Sequence, residues 1–153
     1  MKKMVSLVCV LTAALFVSVA NGGSFSAAPV KPAADPSAGI HAVLDAQVAA
    51  WNHGDIDAYM NGYAQSDDTM FVGTDVTRGW TKVRDRYKTK YDSKAKMGTL
   101  VFSDVEIRPM GADDAVVTGA WKLTRAADAP HGRFTLLFHR RPEGWRIVYD
   151  HSS

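Results

Sequence analysis

The chain has 153 residues, of which 46% are hydrophobic and 22% charged, with a formal net charge of +2 and one cysteine. Lys2 and Lys3 account for that excess, and no acidic residue precedes Asp35, so the rest of the chain is close to neutral. It lacks the basic stripe that nucleic-acid binding requires, and with Cys9 confined to the first segment it has no disulfide or thiol chemistry either.

That first segment reads as a secretory signal peptide over residues 1–22. Lys2 and Lys3 form a positive start, residues 5–19 are an apolar run too short to span a bilayer comfortably, and Ala20, Asn21 and Gly22 offer a cleavage site. An uncleaved anchor is disfavoured by the small and polar residues that follow. The mature protein is expected to be secreted or periplasmic, with no membrane partner once the signal is removed. Residues 23–37 hold Pro29, Pro32 and Pro36 among small residues and read as a flexible linker. The remaining domain, residues 38–153, leaves about 120 residues, enough for one sizeable core.

Asp35 before Pro36 reads as an N-cap followed by proline at the first helical position. Ile40, Val43, Leu44, Gln47, Val48 and Trp51 then recur at helical steps until Asn52-His53-Gly54 ends the run. Asp55 caps a second, shorter helix carrying Ile56, Tyr59, Met60 and Tyr63. Residues 69–72 read as a short strand, Gly73-Thr74-Asp75 as a turn, and Val76-Thr77-Arg78 as the segment it leads into. A third helix from Trp80 places Val83, Arg84, Tyr87 and Tyr91 on one side, with Lys82, Arg86, Lys88 and Lys90 around the rest.

After Met97-Gly98 the period changes to two. Residues 99–110, 115–125, 132–141 and 144–152 read as strands, with turns at 111–114 and 142–144. In the first of them Leu100 and Phe102 fall out of phase with Val105 and Ile107, which predicts a β-bulge near Ser103-Asp104 and a bent sheet. In the last, strict alternation puts Trp145, Ile147, Tyr149 and His151 on the core face and Arg146, Val148 and Asp150 on the other. The expected fold class is α+β: a long, bent antiparallel sheet with three helices of the N-terminal half packed on its core side.

This order of elements, with Ala50-Trp51-Asn52-His53-Gly54-Asp55, Thr77-Arg78-Gly79-Trp80, Arg86-Tyr87, Gly144-Trp145-Arg146-Ile147 and Asp150-His151-Ser152, resembles the nuclear transport factor 2-like superfamily, in its SnoaL-like and secreted branches. The resemblance covers residues 40–153. It implies a cone whose curved sheet wraps the helices and leaves a pocket at the open end. The superfamily includes isomerases, cyclases, dehydratases and non-catalytic assembly domains, so fold alone does not choose among them. Its steroid-isomerase-like members use a tyrosine with carboxylic acids. Tyr59 or Tyr63 resembles that tyrosine, while no carboxylate of this chain is matched to the general base.

From the residues themselves, His151 is a candidate for acid/base catalysis, with a structural role at the strand end as the alternative. Asp150, its strand neighbour, faces the other way and does not orient it. Arg84, on the inner side of its helix, calls for an anionic partner. A ligand carboxylate would serve, although an internal bridge to Asp104, Asp75 or Asp150 is favoured because buried charges are generally paired within the fold. Tyr59, Tyr63, Trp80, Tyr87, Trp121 and Tyr149 are core aromatics, some of which would line a pocket for a flat organic ligand. His41, His53, His131 and His139 are dispersed, so no metal site is expected. No glycine-rich phosphate loop is present, and no cofactor is expected.

Two functions fit these features. One is a small-molecule-binding domain, acting as a cofactor-independent isomerase or lyase through His or Tyr acid/base chemistry on a carboxylate-bearing or aromatic compound. The other is a non-catalytic assembly module whose outward face of Thr118, Thr135, Leu137, His139 and Val148 pairs two copies. Both predict a homodimer.

Overall fold

The computed structural model describes residues 35–153. The expected signal peptide and the linker up to residue 34 lie outside the described residues. α1 (Ser37–His53) opens one residue later than the Asp35-Pro36 pattern suggests: Pro36 is the cap, and Asp35 Oδ1 accepts the Ser37 amide at 3.0 Å. The helix buries Ile40, Leu44, Gln47 and Trp51, one residue per turn on a single face, and ends where Gly54 takes φ 85°. α2 (Ile56–Met60) begins at Asp55, whose carboxylate accepts the Ala58 amide at 2.8 Å. Tyr63, expected in this helix, follows it as an extended residue bridged to Ile147.

β1 (Met70–Val72) and β2 (Val76–Arg78) form a small hairpin. α3 (Trp80–Lys90) and a short α4 (Lys94–Met97) lead into the four long strands, β3 (Thr99–Pro109), β4 (Asp114–Thr124), β5 (His131–Arg141) and β6 (Gly144–Ser152). The sheet runs β2-β1-β6-β5-β4-β3, antiparallel except where β1 joins β6 in parallel, and it does not close. The helices and sheet share a core in which Ile40, Met60, Val83, Val117 and Phe138 have no solvent exposure. Burying a side chain of this size contributes about 1.5–3 kcal/mol. At one end of this core the Trp51 indole N–H, deep against the edge of the sheet, reaches the Met97 carbonyl at 3.1 Å.

Two bulges set the facing of the long strands. The one foreseen in β3 lies between Ser103 and Glu106, and Asp104 there takes φ 52°. The second was not foreseen. In β6 Leu137 pairs with Tyr149 but Phe138 pairs with Ile147, so Val148 is an extra residue and the alternation reverses after it. Trp145 and Ile147 face the core as expected. Beyond Val148, however, Asp150 turns inward and is 2% exposed, whereas His151 is exposed and Tyr149 only half-buried.

Candidate functional site

A cavity of about 400 Å³ opens between α1, α3 and the concave side of the sheet. Its walls are aromatic. Trp51 meets Tyr59 edge-on at 5.2 Å and Tyr91 at 4.7 Å between ring centroids, and Tyr59 lies 5.4 Å from Tyr87. Trp121, Phe102 and Phe134 supply the facing wall from the sheet. Gln47 closes part of the interior, its amide nitrogen donating to the Tyr59 carbonyl at 3.2 Å.

The acidic group inside this largely apolar chamber is Asp150. Its Oδ2 accepts the Tyr63 hydroxyl at 2.6 Å and its Oδ1 the Ser152 hydroxyl at 2.7 Å. Because Tyr63 spends its proton on Asp150, the 3.2 Å contact between the Tyr63 and Tyr87 oxygens has Tyr87 as donor. The result is a directed chain, Tyr87 to Tyr63 to Asp150. Asp150 has no ion pair with a lysine or arginine among the described residues. Burial therefore pushes its pKa above the ordinary 3.8, and the Tyr63 and Ser152 hydrogen bonds and the nearby His151 only partly offset that rise. Burial likewise pushes the Tyr59, Tyr63 and Tyr87 hydroxyls up, with the Asp150 charge adding to it, so all three remain protonated donors.

A carboxylate held by hydroxyls, away from water and from cations, can accept a proton from a bound molecule and return it. Of the three tyrosines, Tyr59 is the one whose hydroxyl proton has no acceptor among the described residues, and it can donate a hydrogen bond to an oxygen that gains charge in the process. Among the described residues no group of three or more His, Cys, Asp or Glu converges as metal ligands.

Of the residues singled out from the sequence, Tyr59, Tyr63, Tyr87 and Trp121 line the cavity, and His151 stands exposed at its rim. Trp80, Arg84 and Tyr149 do not line it. The Trp80 indole N–H is taken by the Met60 carbonyl at 3.0 Å, and the Arg84 guanidinium lies 5.2 Å over the Trp80 ring, bonded to Asp85 at 3.0 Å. Arg84 thus pairs with its chain neighbour rather than with Asp104, Asp75 or Asp150. Tyr149 is turned away by the Val148 bulge. The residues missed include Asp150, placed on the wrong face, and Arg86 and Lys90, which line the cavity although helical periodicity put them outside the apolar side. A signal for the first was present in Val148 itself, an apolar residue in a position assigned to the polar face.

Residues 40–153 match the family described as SnoaL-like domain. Among solved structures, an NTF-2 like protein of unknown function from Shewanella oneidensis is 39% identical, with a TM-score of 0.74, over 78% of this chain and 99% of that one. A protein with a cystatin-like fold from Caulobacter vibrioides (18% identity, TM-score 0.66, 78% and 89% covered) shares the fold. So does a ketosteroid isomerase-like protein from Erwinia carotovora atroseptica (20% identity, TM-score 0.58, 76% and 93% covered). Comparison with curated proteins finds no match.

Proposed function

This chain belongs to the SnoaL-like domain family of the NTF2-like superfamily, and on that premise we propose that it binds a small organic molecule and moves a proton on it with Asp150. The observation that carries this reading is the Asp150 carboxylate, 2% exposed inside an aromatic cavity, hydrogen-bonded to two hydroxyls and without a lysine or arginine ion pair among the described residues. A purely structural carboxylate in such a place would be expected to have a lysine or arginine beside it. The reaction class is abstraction of a proton α to a carbonyl and its return to the same or another carbon, with the Tyr59 hydroxyl stabilising the enolate oxygen. The Erwinia neighbour, described as ketosteroid isomerase-like, fits this class. Secretion, argued from the N-terminal pattern, belongs to the same proposal.

The test is hydrogen–deuterium exchange at the α-carbon of a flat cyclic ketone such as 2-tetralone, followed by NMR in heavy water. The wild type should accelerate exchange, and Asp150→Asn should remove about 10²–10⁴-fold of that acceleration. Exchange that is unaffected by the substitution, or absent in the wild type, defeats the reading.

A second reading, pairing of two copies, draws on the outward side of the sheet. Val116, Leu137 and Tyr149 stand in register there across β4, β5 and β6, each only half-buried. Together they form an apolar stripe of the kind that a second copy covers.

A further inference from the structure

The mouth of the cavity carries charge that the fold does not use. In α3, Arg84 is paired with Asp85 at 3.0 Å and Lys88 with Asp57 at 2.8 Å. Arg86 and Lys90, the two α3 cations that line the cavity, form no ion pair among the described residues. They stand four residues apart on one helix face, a spacing at which like charges destabilise a helix. The Arg86 guanidinium is seated over the Phe71 ring at 4.8 Å, which fixes its plane at the mouth while leaving its N–H donors without a carboxylate. Gly73 leaves room beside it: a Cβ there would come within 3.0 Å of the Phe71 ring and 3.4 Å of Arg86 Nη2. Lys90 lies 5.4 Å over the Tyr91 ring. Among the lining residues the one acidic side chain is Asp150, buried inside, while Arg86, Lys90 and His151 are at the rim.

We propose that the ligand is an organic acid: a flat aromatic or alicyclic body in the aromatic chamber, and a carboxylate at the mouth held by Arg86, with Lys90 as a second positive charge. Arg86 suits that role because its fork of donors matches a carboxylate in two parallel hydrogen bonds. The body of such a ligand then lies in the chamber that Asp150 also lines. This inference rests on the reading of the cavity as a ligand site and adds the substrate class.

The test is calorimetric titration of the full chain with 2-naphthoate and 2-naphthamide, which match in shape and differ in charge. The wild type should bind the naphthoate at least about tenfold more tightly, the worth of one good charge-assisted contact. Arg86→Gln should bring the two affinities within about twofold, and Lys90→Gln, an exposed substitution without consequence for folding, should reduce the preference several-fold. Arg84→Gln removes the same charge from the same helix and should leave the preference intact. Equal binding of the two compounds by the wild type, a preference that survives Arg86→Gln, equal loss in Arg84→Gln, or no binding of naphthoate each overturns the proposal. Neither compound carries an exchangeable α-hydrogen. Loss of ketone exchange activity is therefore a separate result: it defeats the proton-transfer reading while the charge preference stands, and the reverse outcome defeats the organic acid alone.

Discussion

The Tyr63 hydroxyl donates to Asp150 Oδ2 at 2.6 Å, joining the segment after α2 to the end of β6 across 87 residues of chain. Together with Ser152 it leaves Asp150 well bonded but uncompensated in charge, and an amide in the same frame would avoid the cost of a buried anion. Asp150→Asn is therefore predicted to raise the melting temperature at neutral pH while abolishing proton transfer. Burial lifts the Asp150 pKa above 3.8, so the native state holds this proton more tightly than the unfolded chain does. Its stabilising contribution is complete below the unfolded value and is lost as pH rises through the raised native one. Thermal unfolding between about pH 3 and pH 8 should show the variant's advantage opening as pH rises and closing in acid. Equal melting at neutral pH would mean that the anion is compensated after all.

Tyr63→Phe keeps the ring and removes the donor. Asp150 Oδ2 is then a buried acceptor without a partner, and the Tyr87 hydroxyl loses its acceptor too, so a loss of about 1–3 kcal/mol is expected in urea unfolding. Since the Tyr63 bond is one of the influences that lower the Asp150 pKa, its removal should move the acid limb of the exchange activity to higher pH. In the Asp150→Asn background the same substitution should cost less, because no charge is left stranded.

The uneven legibility of the sequence has a physical cause. The four long strands were readable because alternation and turn residues are local signals, and the β3 bulge because Leu100 and Phe102 are visibly out of phase with Val105 and Ile107. The β6 bulge hides inside Trp145, Ile147 and Tyr149, an unbroken apolar alternation. Val148, apolar on the polar face, is a faint local hint, but it is the pairing with Leu137 and Phe138, a long-range fact, that identifies it as the extra residue. That one slip put Asp150 on the wrong face and gave His151 the role of candidate base. Arg84 and Arg86 pose the same difficulty in a helix, since both flank the apolar stripe of α3. The position of Phe71 on β1 decides which of them reaches the cavity.

Gly119 pairs with Phe134 across β4 and β5, and a Cβ at that position would lie 2.3 Å from the Phe134 ring. The ring cannot simply rotate away, because it already packs edge-on against Phe102 at 5.3 Å. Gly119→Ala should cost about 1–3 kcal/mol in urea unfolding, the usual penalty of overpacking. Phe134 also lines the cavity, so its displacement should weaken naphthoate binding more than benzoate binding. An Ala variant with unchanged stability and selectivity would show that the sheet opens there without cost.

Asn52, at the end of α1, performs for β3 what a neighbouring strand would. Its Oδ1 accepts the Leu100 amide at 2.8 Å and its Nδ2 donates to the Leu100 carbonyl at 3.1 Å. β3 is an edge strand, so these two backbone groups have no strand to meet, and the side-chain amide is the one common group with a donor and an acceptor side by side. Asn52→Ala should cost about 1–3 kcal/mol and speed hydrogen exchange at the Leu100 amide. Asn52→Asp separates the two bonds. The ionised carboxylate keeps the Leu100 amide but faces the Leu100 carbonyl oxygen, whereas the protonated acid donates to it again. The Asp variant should therefore be destabilised at neutral pH and regain stability as pH falls through its carboxyl pKa, while the Ala variant shows no such recovery. If both variants follow the same pH curve, Asn52 acts through packing rather than by completing the edge of the sheet.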